Sequence, residues 1–156
     1  MIEIERKFLV KSEKFPRSGN QVVMKQGYMS VDPERIVRVR REGTKAWLTI
    51  KGKMEGISRP EFEYSIPVED AEAMLRLSIN PPIEKIRHRI EFDGKLWEVD
   101  EFLALNKGLL LAEIEMESET RKISLPHWVG EEVTSDHRYY NSWLSIHPYT
   151  TWGMQT

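Results

Sequence analysis

The chain has 156 residues, 23 Lys and Arg against 25 Asp and Glu, a net charge of −2 and no cysteine. The near balance of charge argues against a general polyanion binder, and the missing cysteines exclude disulfides, thiolate metal sites and a cysteine nucleophile. Glu3 and Glu5 interrupt any signal-peptide pattern, and no apolar run is long enough for a membrane helix. A single soluble, cytoplasmic domain over 1–156 is expected, without nucleic-acid or membrane partners.

Taken in order, residues 1–10 alternate Glu3, Glu5 and Lys7 with Ile2, Ile4 and Arg6, then Phe8 and Val10, a period of two that predicts a β-strand with two unlike faces. Residues 11–20 hold Pro16 and a Ser-Gly-Asn cluster and read as a loop. Further strands are predicted over 21–31, 35–42, 45–53 and 58–67, separated by Asp32-Pro33-Glu34 and by glycine-containing turns. From Pro67 the pattern changes: Val68, Ala71, Met74, Leu75 and Leu77 follow helical spacing, which predicts a helix over 68–78, stopped by Asn80-Pro81-Pro82. Alternation resumes at Ile83, turns at Asp93-Gly94 and returns through Trp97 and Val99. A last strand covers 109–116. The tail reads as a short helix near 119–122, a longer one over about 136–146, and a loose end after Pro148. Eight strands joined by short turns imply antiparallel order and can close into a β-barrel, so the fold class is mostly β with a few flanking helices.

The polar strand faces are Glu3/Glu5/Lys7, Arg38/Arg40, Thr49/Lys51/Lys53, Arg59/Glu61/Glu63, Lys85/Arg87/Arg89, Glu98/Asp100 and Glu113/Glu115/Glu117. Ordinary solvated faces carry Ser, Thr, Asn and Gln and mix signs within a strand. These are nearly pure charge, and most keep to one sign within a strand. Pointing inward, the basic faces would hold a multiply charged anion, and the acidic ones would need a divalent cation, Mg²⁺ or Mn²⁺, between themselves and that anion. The apolar faces (Ile4, Phe8, Val37, Val39, Leu48, Ile50, Phe62, Ile86, Ile90, Val99, Ile114) would then lie outside, under helices, the tail or a second subunit, which makes a homodimer plausible.

Glu3-x-Glu5-x-Lys7 resembles the N-terminal signature of the CYTH superfamily, the triphosphate tunnel metalloenzymes. Arg38-Val39-Arg40, Thr49-x-Lys51, Arg59-x-Glu61-x-Glu63, Lys85-x-Arg87, Glu98-x-Asp100 and Glu113-x-Glu115 follow in the family's order, and Val133-Thr134 with Asp136, Arg138, Tyr139 and Asn141 resembles its C-terminal block near one tunnel mouth. The resemblance implies an eight-stranded antiparallel tunnel and a metal-dependent hydrolase of triphosphate substrates, most like the bacterial inorganic triphosphatases that split tripolyphosphate. The alternatives are thiamine triphosphatase, class IV-like adenylate cyclase and, outside enzymes, a polyphosphate-binding module.

On that resemblance Lys7, Arg38, Arg40, Lys51, Lys85 and Arg87 are expected to hold triphosphate oxygens, with Arg59 and Arg138 as further candidates. Glu3, Glu5, Glu113 and Glu115 would ligate the metal, helped by Asp100, Glu61 and Glu63. Tyr28 and Lys85 are the candidates for proton transfer. Gln26, Tyr28 and Ser30 share a phase, and a phenol beside Lys51 or Lys85 would have its pKa lowered. The four histidines have no metal-ligand spacing and are expected to have structural or surface roles.

Overall fold

A computed structural model describes residues 1–11, 14–17 and 20–154; Ser18 and Gly19 of the predicted first loop lie outside the described residues. Strands β1 (Ile2–Val10), β2 (Gln21–Ser30), β3 (Arg35–Glu42), β4 (Lys45–Gly52), β5 (Ser58–Ile66), β6 (Ile83–Phe92), β7 (Lys95–Phe102) and β8 (Leu110–Glu115) form an antiparallel sheet in the order β5-β4-β3-β2-β6-β7-β8-β1, and β1 pairs back to β5, closing an eight-stranded barrel. A ninth strand that periodicity does not reveal, β9 (Val129–Glu132), pairs with the far end of β1, where Val10 faces Val129. Four residues of Val-Gly-Glu-Glu are too short to show an alternation.

Local chemistry accounts for the joints. Asp93 and Gly94 both adopt positive φ, 51° and 73°, the double left-handed turn whose twist matches a two-stranded hairpin. Helix α1 (Val68–Arg76) begins after Pro67, carries Glu69 and Asp70 in its first turn and buries Ala71 and Leu75 on Val39 and Ala46 of the outer barrel wall. A second outer cluster covers β1, β6, β7 and β8: Phe8, Ile90, Trp97, Val99, Ala112 and Ile114 lie under Phe15, Met116 and Trp128. The apolar phase is thus outside, as alternation requires, but the cover is partial. Ile50, Phe62 and Tyr64 on the outer face of β4 and β5 remain exposed.

The tail departs from its predicted helices. Residues 119–122 form a turn and irregular chain: Glu117 to Lys122 offers no apolar stripe, and Glu119 is committed to the backbone N–H of Ile57. The helix expected over 136–146 is broken into a 3₁₀ turn, His137–Tyr139, and a four-residue helix α2, Asn141–Leu144. Asp136 folds back to accept the Arg138 N–H, and Tyr140 is extended, ψ 135°, between the two. The end is not loose through residue 154. Tyr149–Met154 is a 3₁₀ segment whose Tyr149 and Trp152 pack into the barrel's lower cluster.

Candidate active site

Seven of the barrel strands turn charge inward. The interior has two connected chambers, of about 60 Å³ and about 350 Å³. Six residues line both: Glu3, Glu5, Arg38, Lys51, Arg87 and Glu113. The inner chamber sets six cations, Lys7, Arg38, Lys51, Arg59, Lys85 and Arg87, against three carboxylates, Glu3, Glu5 and Glu113. The outer chamber reverses this, with Arg38, Arg40, Lys51, Arg87 and Arg89 against Glu3, Glu5, Glu61, Glu63, Glu98, Glu113 and Glu115. The tunnel is therefore polarised along its length, positive within and negative towards the outer chamber. Below the inner chamber the inward phase becomes apolar: Ile36, Ile83, Phe102 and Leu111 form a floor with Leu144, Tyr149 and Trp152.

Register sets the pairing. Lys7 lies opposite Glu113 and Glu5 opposite Glu115 across β1 and β8, and Lys7 Nζ reaches Glu113 Oε1 at 3.4 Å. Across β1 and β5, Glu3 faces Arg59, 3.3 Å away, while Lys51 Nζ sits 3.0 Å from Glu3 Oε2 and 3.4 Å from Glu61. Burial alone would raise Glu3, but Lys51, a hydrogen bond from Glu61 and Arg59 hold it at about 2. Glu61 is driven the other way, to about 7, by burial and by the hydrogen bond and charge of Glu3. Glu5 is raised well above the carboxylate range by burial and by Glu113 and Glu3 beside it. Against the same burial, Lys7, Arg87 and Lys85 keep Glu113 well below it. In each pair, Glu3 with Glu61 and Glu5 with Glu113, one carboxyl is raised and the other lowered, the response of crowded like charges that divide the nearby cations unequally.

The cations divide into held and available. Asp100 is fully buried under the inner chamber and takes Arg87 through Nε and Nη2 at 2.8 and 2.9 Å and Lys85 Nζ at 2.8 Å. It lines neither chamber, and both its oxygens are taken by these two cations, which it positions. Burial lowers Lys85 to about 8, with Asp100 opposing and Arg87 reinforcing the shift. Burial, then Arg38 and Arg87, lowers Arg40 to about 10. Among the described residues Arg38 Nε and Arg40 Nε are buried without a hydrogen-bond partner, donors held by the barrel beside the chambers. Arg138 is outside the site: it forks onto Asp136, half exposed.

Tyr28 lines the inner chamber, but its environment reverses the sequence expectation. Burial raises the phenol pKa, and the cations that oppose this are Arg38, Lys7 and Arg59, not Lys51 or Lys85. A buried tyrosine loses more on ionisation than those cations return, so the neutral hydroxyl is favoured. Gln26 is buried beside it, whereas Ser30, past an irregularity in the β2–β3 register, bonds the Arg35 carbonyl instead.

Loops and the start of α2 complete the inner chamber with residues no strand periodicity marks: Met54, Ile57, Thr134, Tyr140, Asn141 and Ser142. Thr134 Oγ1 accepts the Lys7 N–H at 3.0 Å, the Tyr139 carbonyl accepts Lys7 Nζ at 3.2 Å, and Asn141 Oδ1 accepts Lys85 Nζ at 3.0 Å. His88, as expected, is structural, buried outside the tunnel between Phe15 and Glu101.

Among the described residues no three His, Cys, Asp or Glu side chains already converge as a metal cage. The donor set nevertheless fits a hard divalent ion. It is all carboxylate oxygen, it crowds seven glutamates around the outer chamber, and Mg²⁺ is commonly bound by one or two carboxylates together with substrate phosphates.

Residues 1–142 match the family model described as the CYTH domain. An inorganic triphosphatase of Acetivibrio thermocellus is 47% identical over 148 residues, covering 94% of this chain and 95% of that protein. An inorganic triphosphatase of Nitrosomonas europaea is 38% identical over 151 residues, covering 94% and 98%. Among solved structures, that of the inorganic triphosphatase NE1496 superimposes with a TM-score of 0.67 at 36% identity, covering 92% of this chain and 97% of its own.

Proposed function

Because the chain belongs to the CYTH family, we propose that its tunnel hydrolyses inorganic triphosphate, adding water across one P–O–P bridge to give pyrophosphate and phosphate. The carrying observation is the polarised interior, six cations against three carboxylates in the inner chamber and the reverse balance beyond it. The proposal extends to a cytoplasmic setting; among the described residues no helix is long and apolar enough to cross a membrane.

The chain's own groups have these roles. Lys7, Arg38, Lys51 and Arg87, with Arg59 and Arg40 flanking, bind phosphate oxygens; the unpartnered Nε donors of Arg38 and Arg40 suit an oxyanion. Lys85 presents to the inner chamber a proton that it yields more readily than a free lysine, fit for the leaving bridge oxygen. Tyr28, protonated, donates a hydrogen bond and holds substrate in place. The fixed charges need no reorganisation as negative charge shifts during phosphoryl transfer.

Glu3, Glu5, Glu113 and Glu115, with Glu61 and Glu63 nearby, would hold Mg²⁺ or Mn²⁺. When bound there, the ion would neutralise the carboxylates and phosphate oxygens and lower the pKa of an attacking water.

The test is phosphate release from tripolyphosphate, ATP and thiamine triphosphate in turn, with Mg²⁺, with Mn²⁺ and with chelator. Metal-dependent release from tripolyphosphate at the highest kcat/KM is expected. Preferred cleavage of thiamine triphosphate, or cyclic AMP and pyrophosphate from ATP, would replace the substrate assignment. Binding without turnover would reduce the protein to a polyphosphate-binding module.

A further inference from the structure

A hydrogen-bonded chain links the C-terminal segment to the two proton-bearing groups of the inner chamber. Lys85 Nζ donates to Asn141 Oδ1 at 3.0 Å, Gln26 Nε2 donates to the same oxygen at 2.9 Å, and Gln26 Nε2 also reaches Tyr28 Oη at 3.4 Å. Lys85 and Gln26 are fully enclosed, at 2% and 0% exposure, and Gln26 Oε1 has no partner among the described residues.

We propose that Asn141 is a positioning residue of the tunnel: its Oδ1 fixes the Lys85 ammonium and, through the Gln26 amide, the direction in which the Tyr28 hydroxyl donates. The inference rests on the triphosphate-cleaving reading above and assigns the segment after the barrel a part in it.

The polarity of the chain follows from the donor inventory. An ammonium only donates, so it requires an oxygen from Asn141. With Oδ1 turned to Lys85, Gln26 must present its NH₂, since the reversed amide would set its own oxygen against Asn141 Oδ1. Both Gln26 hydrogens are then used, one on Asn141 and one on Tyr28, at the expense of leaving Oε1 unpaired. Tyr28 Oη accepts from Gln26, which leaves its own O–H for the chamber that it lines. Lys85 is also held by Asp100, so two acceptors fix two of its three protons and leave the third for the chamber. Neither acceptor alone sets that direction. Misplacement by about an ångström can cost roughly a hundredfold in rate.

The test uses Asn141→Leu, which removes the acceptor at nearly constant size, and Asn141→Asp, which keeps it and adds charge. In N141L, kcat for tripolyphosphate should fall roughly tenfold to a hundredfold with KM little changed. In N141D, kcat should be largely retained while KM rises, because the new carboxylate repels substrate. A merely structural residue would give parallel losses in both variants. The direct readout is the ¹⁵N-detected Lys85 NH₃⁺ resonance, assigned by its loss in Lys85→Arg. It should persist in N141D and shift or broaden away in N141L, or in N141A if N141L does not fold. A Lys85 resonance unmoved without the acceptor overturns the inference, whatever the rates. Wild-type protein that leaves tripolyphosphate intact overturns the functional reading instead, and the resonance still decides the role of Asn141.

Discussion

The inward face of single strands changes character partway down the barrel. Lys7 gives way to Leu9, Glu113 to Leu111, Asp100 to Phe102, Lys85 to Ile83 and Arg38 to Ile36. The upper part is two charged chambers; the lower part is a packed floor closed by Leu144, Tyr149 and Trp152. Hydrocarbon burial stabilises the floor, whereas carboxylates crowded at Glu5–Glu113 and Glu3–Glu61 oppose folding unless cations or protons intervene. The difference teaches that the site is preorganised by the floor beneath it, and that the charges which do the chemistry are borne at a cost to stability.

Glu5→Gln tests the separation most severely. It should reduce metal-dependent turnover by about a hundredfold or more while leaving the melting temperature unchanged or raised, because a crowded carboxylate is removed. A steep fall in melting temperature would erase the distinction between the halves. Leu111→Ala, at a site with no exposure, should do the opposite. It should cost about 2–5 kcal/mol in denaturant unfolding, with kcat per folded molecule retained. Tyr28→Phe lies at the boundary: losing one neutral donor should lower kcat by up to about tenfold and leave KM nearly intact. Unchanged turnover would leave Tyr28 to the floor alone.

Acid–base linkage gives a smaller effect. Glu61 titrates at about 7 in the fold against a reference of 4.5, and Glu5 and Glu115 are raised as well. A raised carboxylate contributes stability that is present below its unfolded pKa and lost as pH rises through its folded pKa. Metal-free protein should therefore melt at a lower temperature at pH 8 than at pH 5. Glu61→Gln should flatten that slope, and saturating Mg²⁺ should offset it; a melting temperature that rises across this window contradicts the raised carboxyls. The smallest effect is expected of Arg138→Ala, since that side chain pairs on the surface with Asp136. Steady-state kinetics should show kcat and KM as in the wild type.

Most of the charged site was legible in the chain, and the reason is the period of two. Once Glu3, Glu5 and Lys7 are placed on one face of a strand, six other strands supply comparable faces, and closure brings them together. The period says nothing of how side chains pair across the tunnel. Asp100 has the same alternation as Glu98, yet it sits beneath Arg87 and Lys85 and never reaches the chambers. Arg138 carries the right charge but lies outside the barrel. Tyr28 was placed in the tunnel by its phase, while the sign of its pKa shift depended on burial, which spacing does not report.

The amino-acid sequence by itself determined the strands, the antiparallel barrel, the helix after Pro67 and the inward direction of charge, because these follow from alternation and turn chemistry over a few neighbouring residues. Only the tertiary structure decided the polarity of the two chambers, the apolar floor, the ninth strand and the seating of Asn141 against Lys85. Those depend on register and on contacts between residues as far apart as Gln26 and Asn141, where burial and partner charge, not local pattern, set the energy.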